Sequence, residues 1–313
     1  MKRLPSSRRR FIGKTALAAA ALTIAPRFFP EESAIPAKNK LPRWKGFNLL
    51  DFFNPSPPRA QQTNNTTAED LKWMRDWGFD FVRIPMAYPR YLKFDRTRDI
   101  SKDEICNYDP SSLEEVDRLV DLCHKYDLHV SLNLHRAPGY CINAGFREPF
   151  NLWKDDEAQE AFASHWGMWA ERYKNISPQK LSFDLLNEPA YIEDMNNQYA
   201  AKVALPGETY RKVAERAVKA IRKSNPDRLI IADGNNVGNN VTPELFDLNI
   251  AQSCRGYYPH YVSHYQASWV WKDPSKAPLP VWPGKIDGRE FSRKNLEELY
   301  KPWIDALSKG TGV

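Results

Sequence analysis

The chain predicts an α/β fold with a parallel sheet, on three observations. From about residue 42 onward, short apolar strands alternate with amphipathic helices. Polar side chains recur at the same end of successive strands. One strand, Leu181-Ser182-Phe183-Asp184-Leu185-Leu186, breaks off at Asn187-Glu188-Pro189, which places an acid at the end of a buried sheet.

The first 25 residues stand outside this pattern. Ser7-Arg8-Arg9-Arg10-Phe11-Ile12-Gly13-Lys14 leads into an Ala, Leu and Ile-rich run from Thr15 to Ala25, the composition of a twin-arginine export signal. A linker through residue 41 follows. Export by the twin-arginine machinery places the mature protein in the periplasm or outside the cell. The leader carries six basic residues and no acid, so removing it takes 45 basic residues to 39, matched by 39 acidic ones. A near-neutral mature protein lacks the basic footprint of a nucleic-acid binder. No segment beyond the leader approaches the roughly 18 consecutive apolar residues of a membrane span.

Candidate strands run over Gly46 to Leu50, Phe79 to Ile84, His129 to Leu134, Leu181 to Leu186, Leu229 to Ala232 and Ala251 to Tyr257. Between them, Ser112 and Glu115 form a capping box, followed by an apolar stripe of Leu113, Val116, Leu119, Val120, Cys123 and Tyr126. The next helix carries Ala158, Phe162, His165, Trp166, Trp169 and Tyr173 on one face, and the one after it Tyr210, Val213, Ala214, Ala217 and Ile221. These stripes are core packing, His165 included. A last helix, bent at Pro302, carries Leu296, Leu299, Tyr300, Trp303 and Leu307 and stops at Lys309-Gly310. Thr311-Gly312-Val313 then reads as the start of a seventh strand. Cys106, Cys123, Cys141 and Cys254 have neither metal-type nor redox-type spacing; Cys106 and Cys141 fall in loops where they could pair.

Arg83, His135, Asn187, Glu188 and Tyr257 close the second, third, fourth and sixth strands. A ring of polar groups at the carboxyl ends of parallel strands is how a (β/α)8 TIM barrel builds its active site. About six of the eight strands are expected in this chain, and the barrel is incomplete at its C-terminal side. Trp269, Trp271 and Trp282, set among prolines after the sixth strand, are either flat platforms for pyranose rings or anchors of that loop.

Gly46-Phe47-Asn48, Val82-Arg83-Ile84-Pro85, Leu134-His135-Arg136-Ala137-Pro138-Gly139 and Asn187-Glu188-Pro189 match, in type and order, a known family. From about Trp44 to Val313 the chain resembles glycoside hydrolase family 5, the cellulase-like retaining β-glycosidases. The resemblance implies hydrolysis of a β-linked polysaccharide or oligosaccharide with Glu188 as general acid/base and Asn187 on the sugar 2-hydroxyl. It further implies that Arg83 and Tyr257 support the nucleophilic carboxylate and that His135 lines the cleavage subsite. No metal or cofactor is implied. Two departures stand out. Where the family shows His-x-Tyr, this chain has Arg255-Gly256-Tyr257, with His264 in the loop beyond as a partial substitute. The family's nucleophile is a Glu on the seventh strand, and Glu290, Glu297 and Glu298 read as solvated charges. A catalytically inactive carbohydrate-binding barrel is therefore the alternative; a metal-dependent hydrolase using His135, Glu188 and His264 is a further one.

Overall fold

The computed structural model describes residues 41–56, 65–143, 147–194, 197, 199–286 and 288–313. The chain divides into two units, Met1–Ala34 and Ile35–Val313, and every described residue lies in the second. The leader, and the linker up to residue 40, lie outside the described residues.

Six parallel strands follow one another in chain order: β1 (Gly46–Asn48), β2 (Phe81–Ala87), β3 (His129–Ala137), β4 (Leu181–Asp184), β5 (Ile230–Asp233) and β6 (Ala251–Ser253). Each hydrogen-bonds to the next, which is the order of a barrel opened along one side. Along β3 the two-residue period separates Val130, Leu132 and Leu134, all fully buried in the apolar core, from Ser131, Asn133 and His135 on the other face. The register carries that polar face across the sheet: Arg83 pairs with Ser131 and Ser131 with Ser182, Asn133 with Asp184, Asp233 with Ser253. Gly46 in β1 has a steric reason to be glycine, because a Cβ there would lie 1.6 Å from the Phe81 carbonyl oxygen.

The longer helices are α1 (Ala68–Asp76), α2 (Pro110–Lys125), α3 (Asp156–Arg172), α4 (Gly207–Arg222) and α5 (Arg293–Leu307). The expected stripes are the buried faces, including Val116, Val120 and Cys123 on α2 and Phe162, Trp166 and Trp169 on α3. His165 is a satisfied core residue, with Nδ1 2.8 Å from the Tyr91 hydroxyl and Nε2 2.8 Å from the Ile105 carbonyl. The start of α2 differs from expectation. Its N-cap is Asp109, which accepts from the Ser112 hydroxyl at 2.7 Å, while Glu115 is drawn off by Arg90 at 2.6 Å. An ion pair to a buried arginine wins over a reach back to the cap. Pro302 lies inside α5, and Gly310 turns the chain at φ +91°. Beyond it the Gly312 carbonyl accepts the Gln252 N–H at 2.8 Å, beside β6. All four cysteines are free thiols, with Cys141 buried and Cys106 exposed. No helix of the described residues is long and apolar enough to cross a membrane.

Candidate active site

Asp184, Asp233 and Ser253 are the last residues of their strands. Arg83 and His135, expected to close theirs, lie inside β2 and β3, because both strands run on past the predicted ends. Helices packed on the sheet hold the strand ends still. Trp166 on α3 donates its indole N–H to the Leu185 carbonyl at 3.1 Å, and Tyr210 on α4 donates its hydroxyl to the Asp233 carbonyl at 2.8 Å. The backbone leaving β4 stays pinned: Leu185 N–H to the Ile231 carbonyl at 2.8 Å, Asn187 N–H to the Leu134 carbonyl at 3.1 Å. Glu188 then takes φ +51°, a left-handed conformation that a side-chain-bearing residue adopts at a cost of about 1–3 kcal/mol. Its N–H donates to Asp233 Oδ2 at 2.9 Å and its carbonyl accepts from the Tyr140 hydroxyl at 2.7 Å. The surroundings therefore impose the turn, and the turn aims the side chain.

The Glu188 carboxylate, 15% exposed, receives two donors on one oxygen. Arg255 Nε and the Tyr257 hydroxyl each lie 3.0 Å from Oε1. The rest of the Arg255 fork reaches Asp233 Oδ1 through Nη1 at 3.0 Å, Asp233 Oδ2 through Nη2, and Asn187 Oδ1 through Nη2 at 3.0 Å. Ser253 donates its hydroxyl to Asp233 as well. On the other side Arg83 donates from Nε to Asp184 Oδ2 at 2.7 Å and from Nη2 to Asn187 Oδ1 at 3.0 Å, and stands 3.8 Å from Asp233. Two guanidinium groups thus bind three carboxylates across β2, β4, β5 and the segment after β6.

Burial sets the charge state of the inner acids. Removal from water and the neighbouring Asp233 charge push the Asp184 carboxyl up to about 6. Burial opposes ionisation at Asp233 too, but the Arg255 and Arg83 guanidiniums outweigh it and hold that carboxyl below the usual range. Burial, followed by the Glu188 charge, pushes the Tyr257 phenol up to about 12, so it remains a hydrogen-bond donor at neutral pH. His135 is held neutral, pushed down to about 4 by burial and then by the Arg83 charge. Four atoms in this region are buried with no hydrogen-bond partner among the described residues: Asn187 Nδ2, Asp184 Oδ1, Asn133 Oδ1 and His135 Nδ1. Such atoms are costly unless something supplies a partner, and a polyhydroxylated ligand can.

Of the residues singled out from sequence, Arg83, Asn187, Glu188 and Tyr257 converge on one network. His264 flanks it, with its ring edge-on to Tyr257 at 4.7 Å and Nδ1 2.8 Å from the Ser263 hydroxyl. His135 lies against the Phe53 ring at 4.6 Å and bonds Asn143 at 2.8 Å. No group of three or more His, Cys, Asp or Glu side chains among the described residues is arranged to hold a metal ion. β6 is shorter than expected and ends at Ser253, so Tyr257 sits in the loop beyond it. The three loop tryptophans divide: Trp271 is an anchor, its indole N–H donating to the His264 carbonyl at 2.8 Å, whereas Trp269 and Trp282 are exposed, Trp269 by 62%. Glu290 faces Lys285, Glu297 faces Arg293 and Glu298 faces Lys294, all at the surface.

Sequence reasoning missed Asp184, Asp233, Ser253 and Arg255. The signal was present in two of them: Asp184 interrupts an apolar strand, and Asp233 ends another, at Ile230-Ile231-Ala232-Asp233. An acid in a buried strand needs a cation, and Arg83 and Arg255 are the cations.

The sequence matches the cellulase family, glycosyl hydrolase family 5, over residues 36–300. The chain belongs to that family. Endoglucanase C of Acetivibrio thermocellus is 29% identical over 234 residues, 73% of this family 5 chain and 61% of that protein. Cellodextrinase A of Ruminococcus flavefaciens is 26% identical over 280 residues, 85% of this chain and 72% of that protein. The chain thus spans about three fifths of the length of the endoglucanase it matches. A glycoside hydrolase crystal structure superposes with a TM-score of 0.73 at 36% identity, covering 86% of this chain and 76% of that one. An endoglucanase from the hyperthermophilic Thermotoga maritima, at 22% identity and a TM-score of 0.61, covers 85% of this chain and 75% of its own. The fold is therefore that of a family 5 (β/α)8 barrel, of which the described residues form the six-stranded part.

Proposed function

We propose that the protein is a glycoside hydrolase of endoglucanase type acting on β-linked glucans, with Glu188 as general acid/base. The observation that carries this is the backbone of Glu188, held left-handed by Asp233 and Tyr140 so that the carboxylate stands at the strand ends against Arg255 and Tyr257. A glycosidic oxygen is a poor leaving group, so an acid must hand it a proton as the bond breaks, and the same carboxylate then deprotonates the incoming water. Asn187 Nδ2, buried and unpartnered, supplies a donor suited to a sugar 2-hydroxyl. Neutral His135 lines the subsite, His264 backs Tyr257, and the exposed faces of Trp269 and Trp282 suit pyranose rings.

A retaining mechanism also needs a nucleophilic carboxylate about 5–5.5 Å from the acid. Asp184 and Asp233 are unsuited to that role, because both are buried and engaged by arginines. The nucleophile in this reading is the family's seventh-strand Glu, which is not among the described residues. The alternative, a barrel that binds glycans without cutting them, is not favoured by the cellulase family match or by the endoglucanase and cellodextrinase relatives. In either case residues 1–25 act as a twin-arginine leader, residues 26–41 as a linker and residues 42–313 as the barrel domain, exported to the periplasm or beyond.

Measurement on Glu188→Gln separates the two. Turnover of cello-oligosaccharides should fall by about 10²–10⁴-fold while calorimetric affinity for them stays within threefold, roughly, of the wild type. Undiminished turnover in the variant removes Glu188 from the chemistry; glycan binding with no turnover in the wild type establishes the binding-only reading.

A further inference from the structure

We infer that Asp233 is a positioning residue for Glu188, fixing its backbone directly and its carboxylate through Arg255. This deepens the hydrolase reading and rests on it for its kinetic consequence, but its geometry stands apart from any turnover.

Three observations join here. Asp233 Oδ2 accepts the Glu188 N–H at 2.9 Å, the bond that holds the left-handed turn. Asp233 also binds both terminal nitrogens of Arg255, whose remaining Nε is then aimed at Glu188 Oε1. A guanidinium is planar, so two contacts to one carboxylate set the direction of the third donor. Arg255 is itself caged. Its carbonyl accepts the Tyr300 hydroxyl at 2.9 Å, and its aliphatic stem lies over Gly238, at φ +78°, where a Cβ would come within 2.5 Å of Arg255 Cγ. Asp233 in turn is anchored by the Ser253 hydroxyl and is completely buried. A carboxylate with no access to solvent, bonded at once to the backbone and to the side-chain partner of the acid/base, controls both ends of that residue.

The test uses Asp233→Asn, Arg255→Gln and the double variant of the full chain, each checked for a cooperative melting transition. General-acid assistance matters most when the leaving group is poor. The kcat/KM for cello-oligosaccharides should therefore fall about tenfold to hundredfold in each single variant, while kcat/KM for 2,4-dinitrophenyl cellobioside, whose departure needs no proton, changes by less than about threefold. If Asp233 acts through Arg255, the double variant is no worse than the weaker single one. Equal losses on both substrates, or additive losses in the double variant, overturn the inference. A crystal structure of Arg255→Gln supplies a readout independent of turnover: the Glu188 carboxylate should leave its wild-type position. An unmoved carboxylate overturns the inference too. Absence of wild-type turnover sinks the hydrolase reading instead, and the crystallographic comparison then decides the positioning role alone.

Discussion

Glu188 stands where three kinds of constraint meet: a proline on its C-terminal side, a left-handed backbone, and a carboxylate with two donors on one oxygen. Buried histidines show how local chemistry sets charge equally firmly. His129 lies with Nδ1 2.8 Å from the Gln179 carbonyl and Nε2 2.9 Å from the Ser182 hydroxyl, and His165 is bracketed by a carbonyl and a phenol. Each pair of partners suits a neutral ring with one donor and one acceptor. Burial pushes both down to about 4. An unfolded histidine titrates near 6.5, so between about 6.5 and 4 the unfolded chain binds protons that the native one refuses. These two groups then contribute stability that is fully present above about pH 6.5 and is lost as pH falls toward 4, about 1.4 kcal/mol per pH unit for each. Asp184, pushed up to about 6, acts with the opposite sign between about 3.8 and 6. In an NMR titration the His129 and His165 ring signals should stay at their neutral positions down to pH 5; a midpoint above 6 for either contradicts the assigned bonding.

At the scale of elements, the site depends on residues at the far ends of the strands. Arg228, almost wholly buried just before β5, donates to the carbonyls of Leu181, Tyr173 and Ile176 at 2.7, 2.8 and 2.7 Å. It ties the start of β4 to the end of α3 and to the turn after it. Substitution Arg228→Met keeps the bulk but leaves the Leu181 and Ile176 carbonyls without their guanidinium donors, while the Tyr173 carbonyl keeps the Ile176 N–H at 3.0 Å. It should cost about 2 kcal/mol or more in urea unfolding. A loss under about 1 kcal/mol shows that water takes over those bonds. The helical stripes, six strands and their order were legible because apolar periodicity reports burial directly. The cap of α2 was not, because the competing Arg90 lies 25 residues from Glu115 in sequence. The short β6 was equally hidden. Arg255, Gly256 and Tyr257 continue an extended-looking run, and the partners that draw Arg255 and Tyr257 off the ladder come from β5 and from the turn after β4.

Across the described residues, apolar side chains remain on view just after β1, on and just after α1, and on α5. Leu50 and Trp77 are exposed by 61% and 68%, and Trp73, whose ring lies 6.3 Å from that of Trp77, by 50%. Ile304 on α5 is half exposed as well. Surfaces of this kind associate. Sedimentation velocity on the 313-residue chain should show reversible, concentration-dependent self-association, weakened in a Trp73→Gln/Trp77→Gln variant. A strictly monomeric boundary across micromolar concentrations rules this out.

The sequence by itself determined the class of fold, the order of the parallel strands, and the placing of Asn187 and Glu188 just past the end of one of them. Periodicity and local backbone chemistry are written in neighbouring residues. Only the tertiary structure decided which cations meet which acids: Arg83 with Asp184, and Arg255 with Asp233 and Glu188. Those pairs join residues up to 101 positions apart, and their geometry follows from strand register, which no single segment encodes.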